Sequence, residues 1–301
     1  MPSPQMGIFA LGTSSHAYLE LDLEAGVSPA AAVERVASLR EPRTTIGGVN
    51  LVAGFRPELW ASVAPDAAPP GVTGFEAPIV GPTGAVMPAT QHDVVVWLTG
   101  ASYDVVFDLS RTVVVALAGI ARVVHEIVGW PYHHDRDLTG FEDGTENPTL
   151  VEAVSVAVIP DGRPGAGASI LLLQQWEHDA IAWEQLPVVA QEAILGRRRA
   201  TGEELDPKPP TSHVARTDQD AFGRIFRRNI PYGTLTDHGT IFVGFSAEQR
   251  ILDAMLRSMV GATGQPPDAL TTVTRALTGA YYVIPSSDAL ADLGADADRE
   301  G

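Results

Sequence analysis

Cysteine is missing from all 301 residues. Its absence excludes disulfides, thiolate metal sites and a cysteine nucleophile, and leaves histidine and carboxylate side chains to carry any chemistry. A thiol-free chain also suits an enzyme that meets oxidants. Basic residues are scarce: 20 Lys and Arg stand against 37 Asp and Glu, a formal charge of −17. Such a balance argues against nucleic acid and against an anionic membrane surface as partners, because a polyanion would be repelled. The one dense basic cluster, Arg197-Arg198-Arg199, is too short to reverse that. Nowhere is there an uninterrupted run of about twenty apolar residues, and no basic segment precedes an apolar one at the amino terminus. A cytoplasmic protein is expected. No Gly-x-Ser-x-Gly and no P-loop occurs, which removes the common hydrolase and nucleotide readings.

What is present is a folded chain, 45% hydrophobic and longer than most single domains. Alternation over His16 to Leu23 predicts a strand, followed by a helix that Ser28-Pro29 starts and that ends near Arg40. A second strand runs from Val49 to Phe55. Six prolines between Val63 and Gln91 predict an irregular segment wrapping the surface. Strand Val94 to Leu98, helix Tyr103 to Leu117 and a strand or helix end at Ala121 to Val128 follow. Further on, strands are expected at Ser155 to Ile159, Ser169 to Trp176 and Thr240 to Phe245. The helical region Asp179 to Leu195 should split at Pro187. Ser246 and Gln249 read as a capping box for a helix buried through Ile251, Leu252, Met255, Leu256 and Met259. Leu51 to Glu58 and Ile241 to Glu248 look like counterparts, each an apolar strand ending in Gly-Phe, and suggest an internal α+β duplication. Ser286 to Gly301 is acidic and Ala-rich and reads as a disordered tail.

The chemistry concentrates in Arg136 to Pro148, Arg-Asp-Leu-Thr-Gly-Phe-Glu-Asp-Gly-Thr-Glu-Asn-Pro. Asp143 stands there between Gly140 and Gly144, on backbone free to take positive φ. An Asp-Gly alone is most often a surface turn. A calcium loop is excluded, since Pro148 and Val154 occupy the positions where an EF-hand needs Gly and Glu. His213 follows Lys-Pro-Pro-Thr-Ser, a segment that proline holds extended, and precedes the strand-former Val214. A lone histidine is usually a structural hydrogen-bonder. The adjacent His133 and His134, with Asp135 and Asp137, point to opposite faces of an extended chain and read as loop residues. In Arg227-Arg228-Asn229, alternation places Arg227 and Asn229 on one face, and a buried Arg227 needs an anion such as Asp143.

Together these segments resemble the B-type dye-decolourising peroxidases, a family of haem enzymes. The loop Arg136 to Pro148 is similar to the family's signature almost throughout, with Glu142 at a position the family varies. Ser212-His213-Val214 is similar to its haem-ligand segment, and Arg227-Arg228-Asn229 with Pro231-Tyr232-Gly233 to its distal segment. The similarity runs from about Leu11 to Pro285. The resemblance implies an α+β fold of two ferredoxin-like halves. These are 1–149, ending in the distal loop, and 150–285, which holds one haem b; the tail 286–301 follows. It implies His213 as the iron ligand, with Asp218 or Asp220 orienting its ring. Asp143 would be the acid–base group, Arg227 the charge stabiliser and Asn229 the positioning residue, with Gly144, Thr145 and Glu146 lining the site. Arg197 would lie near a haem propionate, unless it is a solvated cation at a helix end. The implied activity reduces hydrogen peroxide and oxidises organic donors such as dyes and phenols through a ferryl intermediate. The alternative is a haem-binding or iron-handling protein with little turnover, but a carrier would not need both Asp143 and Arg227. A homo-oligomer is expected. Encapsulin is a candidate partner because some relatives are its cargo, although the tail shows no packaging peptide. Five Trp and six Tyr offer radical relays to the surface, and most should be core.

Overall fold

A computed structural model describes residues 2–39, 48–133 and 136–297. The first unit runs β1 (Ser15–Leu23), α1 (Pro29–Ala37), β2 (Asn50–Phe55), α2 (Pro57–Val63), the small hairpin β3 (Ile79–Val80) and β4 (Val86–Met87), β5 (Val94–Gly100), α3 (Tyr103–Ala116) and β6 (Ala121–Gly129). Its strand order β2-β5-β1-β6, antiparallel throughout, is that of a ferredoxin-like sheet. The second unit runs α4 (Leu150–Ala157), β7 (Ser169–His178), α5 (Ala180–Gln185), α6 (Val188–Leu195), α7 (His213–Arg216), α8 (Gln219–Phe222), β8 (Phe226–Arg227), β9 (Ile230–Gly233), β10 (His238–Ser246), α9 (Gln249–Met259), β11 (Thr274–Ala276), β12 (Ala280–Ile284) and the terminal α10 (Ser287–Ala297). Here β7 lies between β10 and the β11/β12 edge, while β8 and β9 share the far edge of β10. The same order is thus repeated.

Two seams join the units, β12 to β2 at Val283 and Phe55 and β6 to β9 at Gly129 and Tyr232. With β7 paired to β10, the strands close into a ring that leaves no long free edge. Gly129 makes one seam possible: a Cβ there would lie 2.7 Å from both Ile230 Cγ2 and the Pro231 carbonyl oxygen. Alternation sorts the strand residues. Tyr18, Trp97, Phe245 and Tyr282 fill the ring interior, with Tyr18 stacked on Trp97 at 5.6 Å and Trp97 on Phe245 at 5.9 Å. Leu19, Leu21 and Val96 turn outward to meet Val33, Val36, Val106 and Leu109 of α1 and α3. Ile170, Leu172 and Trp176 turn outward in the second unit to meet Leu252, Met255 and Leu256 of α9. That outer face carries the functional cavity.

Most expected elements form, including the break at Pro187, and the differences have local causes. Ser155 to Ile159 is not a strand: Thr149 and Glu152 form a capping box and carry Leu150–Ala157 into a helix. Ser246 does not start α9 but stays in β10, accepting from the Glu248 N–H at 3.1 Å. Gln249 leaves the cap to bond Thr73 through both amide atoms. The proline-rich segment is not wholly irregular or superficial, because the β3–β4 hairpin forms and Phe75, Ile79 and Met87 are buried beside Tyr281. The Gly-Phe segments are not counterparts: one is the second strand of its unit (β2), the other the third (β10), whose true equivalent is β5. Ser287 to Ala297, expected to be disordered, is helical. Its Ala289, Leu290 and Leu293 pack on the first core, and Ser287 N–H and Asp288 bond Ser3. Arg40, His134, Asp135 and residues 298–301 lie outside the described residues. Among the described residues no helix is long and apolar enough to cross a membrane.

Candidate active site

The loop after β6 is folded by its own polar groups. Asp137 N–H donates to the Phe141 carbonyl at 3.1 Å and Gly140 N–H to the Asp137 carbonyl at 3.0 Å, while Arg136 Nη1 donates to the Gly140 carbonyl at 2.8 Å. Phe141 is buried edge-on to Trp183, whose Nε1 donates to the Thr139 carbonyl. These contacts set the loop against α5 and α6. Gly144 then takes φ +74° and donates its N–H to Asp143 Oδ1 at 2.7 Å, a geometry a Cβ would strain. Asn147 locks the loop to β8: its Nδ2 donates to the Arg227 carbonyl at 2.9 Å and its Oδ1 accepts from Arg227 N–H at 2.8 Å.

Arg227 and Arg228 face opposite ways, as alternation requires. Arg228 enters the ring, over Trp97 at 5.2 Å and donating to the Ile8 carbonyl. Arg227 turns to the cavity, with Nη2 3.6 Å from Asp143 Oδ1 and a buried Nε that has no partner among the described residues. Asn229 shares its face, and its Oδ1 accepts from Val243 N–H at 3.1 Å. Its amide nitrogen remains as the donor.

His213 is not on a strand. It opens the short helix α7, capped by Ser212, whose Oγ accepts from Ala215 N–H. Its Nδ1 lies 2.7 Å from Oδ2 of Asp268, a fully buried carboxylate whose Oδ1 accepts from Leu270 N–H. The orienting carboxylate is therefore neither Asp218, which caps α8 and faces Lys208, nor Asp220. Sequence reasoning missed Asp268. Its visible signal was Pro-Pro-Asp-Ala-Leu, a helix-capping aspartate after proline.

Asp143, Thr145, Glu146, Arg197, His213, Arg227 and Asn229 line one cavity, walled by Leu172, Trp176, Phe242 and the α9 methionines. Gly144 lines an adjoining cavity, which shares Asp137, Glu142, Asp143, Thr145, Arg227, Asn229 and Thr240 with the first. His213 belongs only to the inner cavity. Arg197 is no solvated cation: it reaches Glu146 and Glu204 and donates to the Gly202 carbonyl. Burial and the neighbouring Glu204 push the Glu146 carboxyl up. His178, not foreseen, also lines the cavity, and burial lowers it to about 4. Among the described residues no cluster of three or more His, Asp or Glu side chains could hold a bare metal ion.

Known proteins of one family are similar to this chain in sequence and in fold. Residues 134–289 match the profile of the Dyp-type peroxidase C-terminal domain. A dye-decolorizing peroxidase of Mycolicibacterium paratuberculosis is 34% identical over 270 residues, covering 86% of this chain and 74% of the relative. One from Rhodococcus erythropolis is 33% identical, covering 83% and 76%. The fold superposes on a dye-decolorizing peroxidase from Bacteroides thetaiotaomicron with TM-score 0.88 at 26% identity, covering 97% and 99% of the two chains. It also superposes on a DypB variant of Rhodococcus jostii in complex with heme, with TM-score 0.86, 30% identity and the same coverage. The chain belongs to the Dyp-type peroxidases.

Proposed function

We propose that this protein is a haem b peroxidase that reduces hydrogen peroxide and oxidises organic donors such as dyes and phenols. The observation that carries the proposal is the pairing of two half-sites in one cavity, an aspartate-backed imidazole and an Asp–Arg–Asn group. The donor set fits haem. His213 Nδ1 is engaged by Asp268, so Nε2 is the nitrogen left for iron, and the carboxylate fixes the tautomer. Apolar walls suit the macrocycle, and Arg227 Nε and Thr240 Oγ1, buried with no partner among the described residues, are donors it could use. The chemistry a bound haem supplies is redox: two electrons to the peroxide O–O bond, recovered one at a time from the donor.

The chain's own residues handle protons and charge. Asp143 takes the proton of incoming peroxide and returns it to the departing oxygen. Arg227 stabilises the negative charge that develops as the bond lengthens, and the Asn229 amide nitrogen donates to peroxide or water. Arg197 would serve a haem propionate by exchanging its Glu146 partner for the propionate. Haem titration of the apoprotein, followed by peroxide and a reducing dye, tests the assignment. Wild type should give a histidine-ligated haem spectrum and bleach dye, and His213→Ala should lose the spectrum. An unchanged spectrum in that variant would refute the ligand.

A further inference from the structure

The cavity holds a carboxylate that the reaction as described leaves unused. Asp137 stands at the junction of the inner and adjoining cavities, which it lines together with Asp143. Its Oδ1 accepts from both the N–H of Thr139, at 2.9 Å, and the Thr139 hydroxyl. Its Oδ2 has no hydrogen-bond partner among the described residues. The two aspartates differ in their charged neighbours: Asp143 pairs with Arg227 at 3.6 Å, whereas Asp137 forms no ion pair among the described residues. Arg136, the nearest cation in sequence, spends Nη1 on the Gly140 carbonyl. Two carboxyls at one site with unlike surroundings divide acid and base work between them.

We propose that Asp137 is a second proton-carrying carboxyl of this site, passing protons between the adjoining cavity and Asp143. The assignment rests on the peroxidase reading above. Each transfer moves one proton and no electrons. The O–H bond of Asp137 breaks, an O–H bond forms on the Asp143 carboxylate, directly or through water, and solvent reloads Asp137. Burial, then the charge of Asp143, pushes the Asp137 carboxyl up to about 6, against the Thr139 hydrogen bonds and the charge of His213. Among the described residues, the other charged or titratable groups lining the two cavities are Glu142, Glu146, Arg197, Arg227 and His178, with Tyr132, Arg136 and Arg228 on the outer side, and Arg199 packs on Gly140 of the same loop.

Infrared difference spectroscopy reads the carbonyl band of a protonated carboxyl in the apoprotein. Wild type should show such a band titrating near pH 6, at the raised value of Asp137. Asp137→Asn should remove it. Asp143→Asn should shift it down by removing a like charge, and Thr139→Val should shift it up by deleting a donor to the ionised form. With haem loaded, Asp137→Asn should keep the resting spectrum yet react with peroxide about tenfold more slowly near pH 5. A band that survives Asp137→Asn overturns the proposal, as does a peroxide rate identical to wild type. If Asp137→Asn does not fold, a Thr139→Val midpoint that stays unmoved overturns it as well. Wild type that binds no haem removes the peroxidase reading and the relay together, whereas haem uptake with normal peroxide rates in Asp137→Asn removes the relay alone.

Discussion

His213 Nδ1 and Asp268 Oδ2 lie 2.7 Å apart although 55 positions separate them in the chain. One residue opens α7, and the other precedes the turn leading into β11. The contact ties the end of α9 to α7, since Asp268 N–H also donates to the Met259 carbonyl at 2.8 Å. A fully buried carboxylate keeps its place only because a donor answers each oxygen.

Asp268→Asn should therefore weaken haem retention more than it weakens the fold. An amide can still meet Nδ1, but it no longer favours the imidazole form that binds metal most strongly. A loss of about 10- to 100-fold in haem affinity is expected, by analogy with the second shell of other metal-bound histidines. Competition with a haem scavenger measures it, and an affinity equal to wild type would reject the role of the carboxylate.

Asn147→Ala separates loop position from loop chemistry. The side chain makes two hydrogen bonds to the backbone of Arg227, and deleting it leaves that N–H and carbonyl without partners. A cost of about 1–3 kcal/mol is expected in denaturant unfolding. Asp143 and Arg227 would also lose their mutual register, so the peroxide reaction should slow while haem still binds. A variant equally stable and equally fast would show that the clamp is dispensable.

Asp143 and Arg227 should not contribute additively. Their 3.6 Å separation makes each part of the other's surroundings, and removing Arg227 strips the carboxylate of its cation as well as the site of its charge stabiliser. Removing Asp143 leaves the cation to polarise peroxide, with water carrying the proton. Arg227→Ala is thus expected to slow peroxide activation at least as much as Asp143→Ala, with the double variant far from the sum. Stopped-flow mixing of haem-saturated proteins decides it. A fast Arg227→Ala beside a nearly inactive Asp143→Ala would reverse the ranking.

The residues legible in the sequence are those whose role is written locally. Asp143 sits beside Gly144, and Arg227, at the end of β8, stands two positions before Asn229, a spacing that turns both to the same cavity. Asp268 was illegible because nothing near His213 points to it; α9 and the turn after it deliver that carboxylate. The helix at Leu150 shows the opposite failure. Thr149 and Glu152 carried the capping signal, yet a strand was expected at Ser155 to Ile159, a stretch that holds the β-branched Val156, Val158 and Ile159. The displaced start of α9 was set by Thr73, a distant partner that no local rule contains. Closure of the two sheets was likewise invisible, since it depends on Gly129 admitting β9 at a distance no side chain allows.

Inside the ring, Glu20 of β1 gathers partners from both units. Tyr282 of β12 donates to its Oε1 at 2.6 Å, and His125 of β6 meets its Oε2 at 2.8 Å while contacting Gln175 of β7 at 3.0 Å. The hydrogen bond and charge of Glu20 hold the His125 imidazole above its ordinary value despite burial, which acts the other way. A histidine that is more basic folded than unfolded stabilises fully below about pH 6.5, and that stabilisation is lost as pH rises through the raised folded value. Buried His16 behaves oppositely. Desolvation, then Arg228, lowers it to about 4, so its contribution is present above about 6.5 and lost as pH falls toward 4. Stability should consequently fall on both sides of neutrality, with His125 governing the alkaline limb. His125→Gln is expected to flatten that limb above about pH 6.5 and leave the acid limb intact. Urea unfolding of the apoprotein at successive pH values provides the check. An alkaline limb of unchanged slope in the variant would assign the loss to another group, with buried Tyr282 the next to replace.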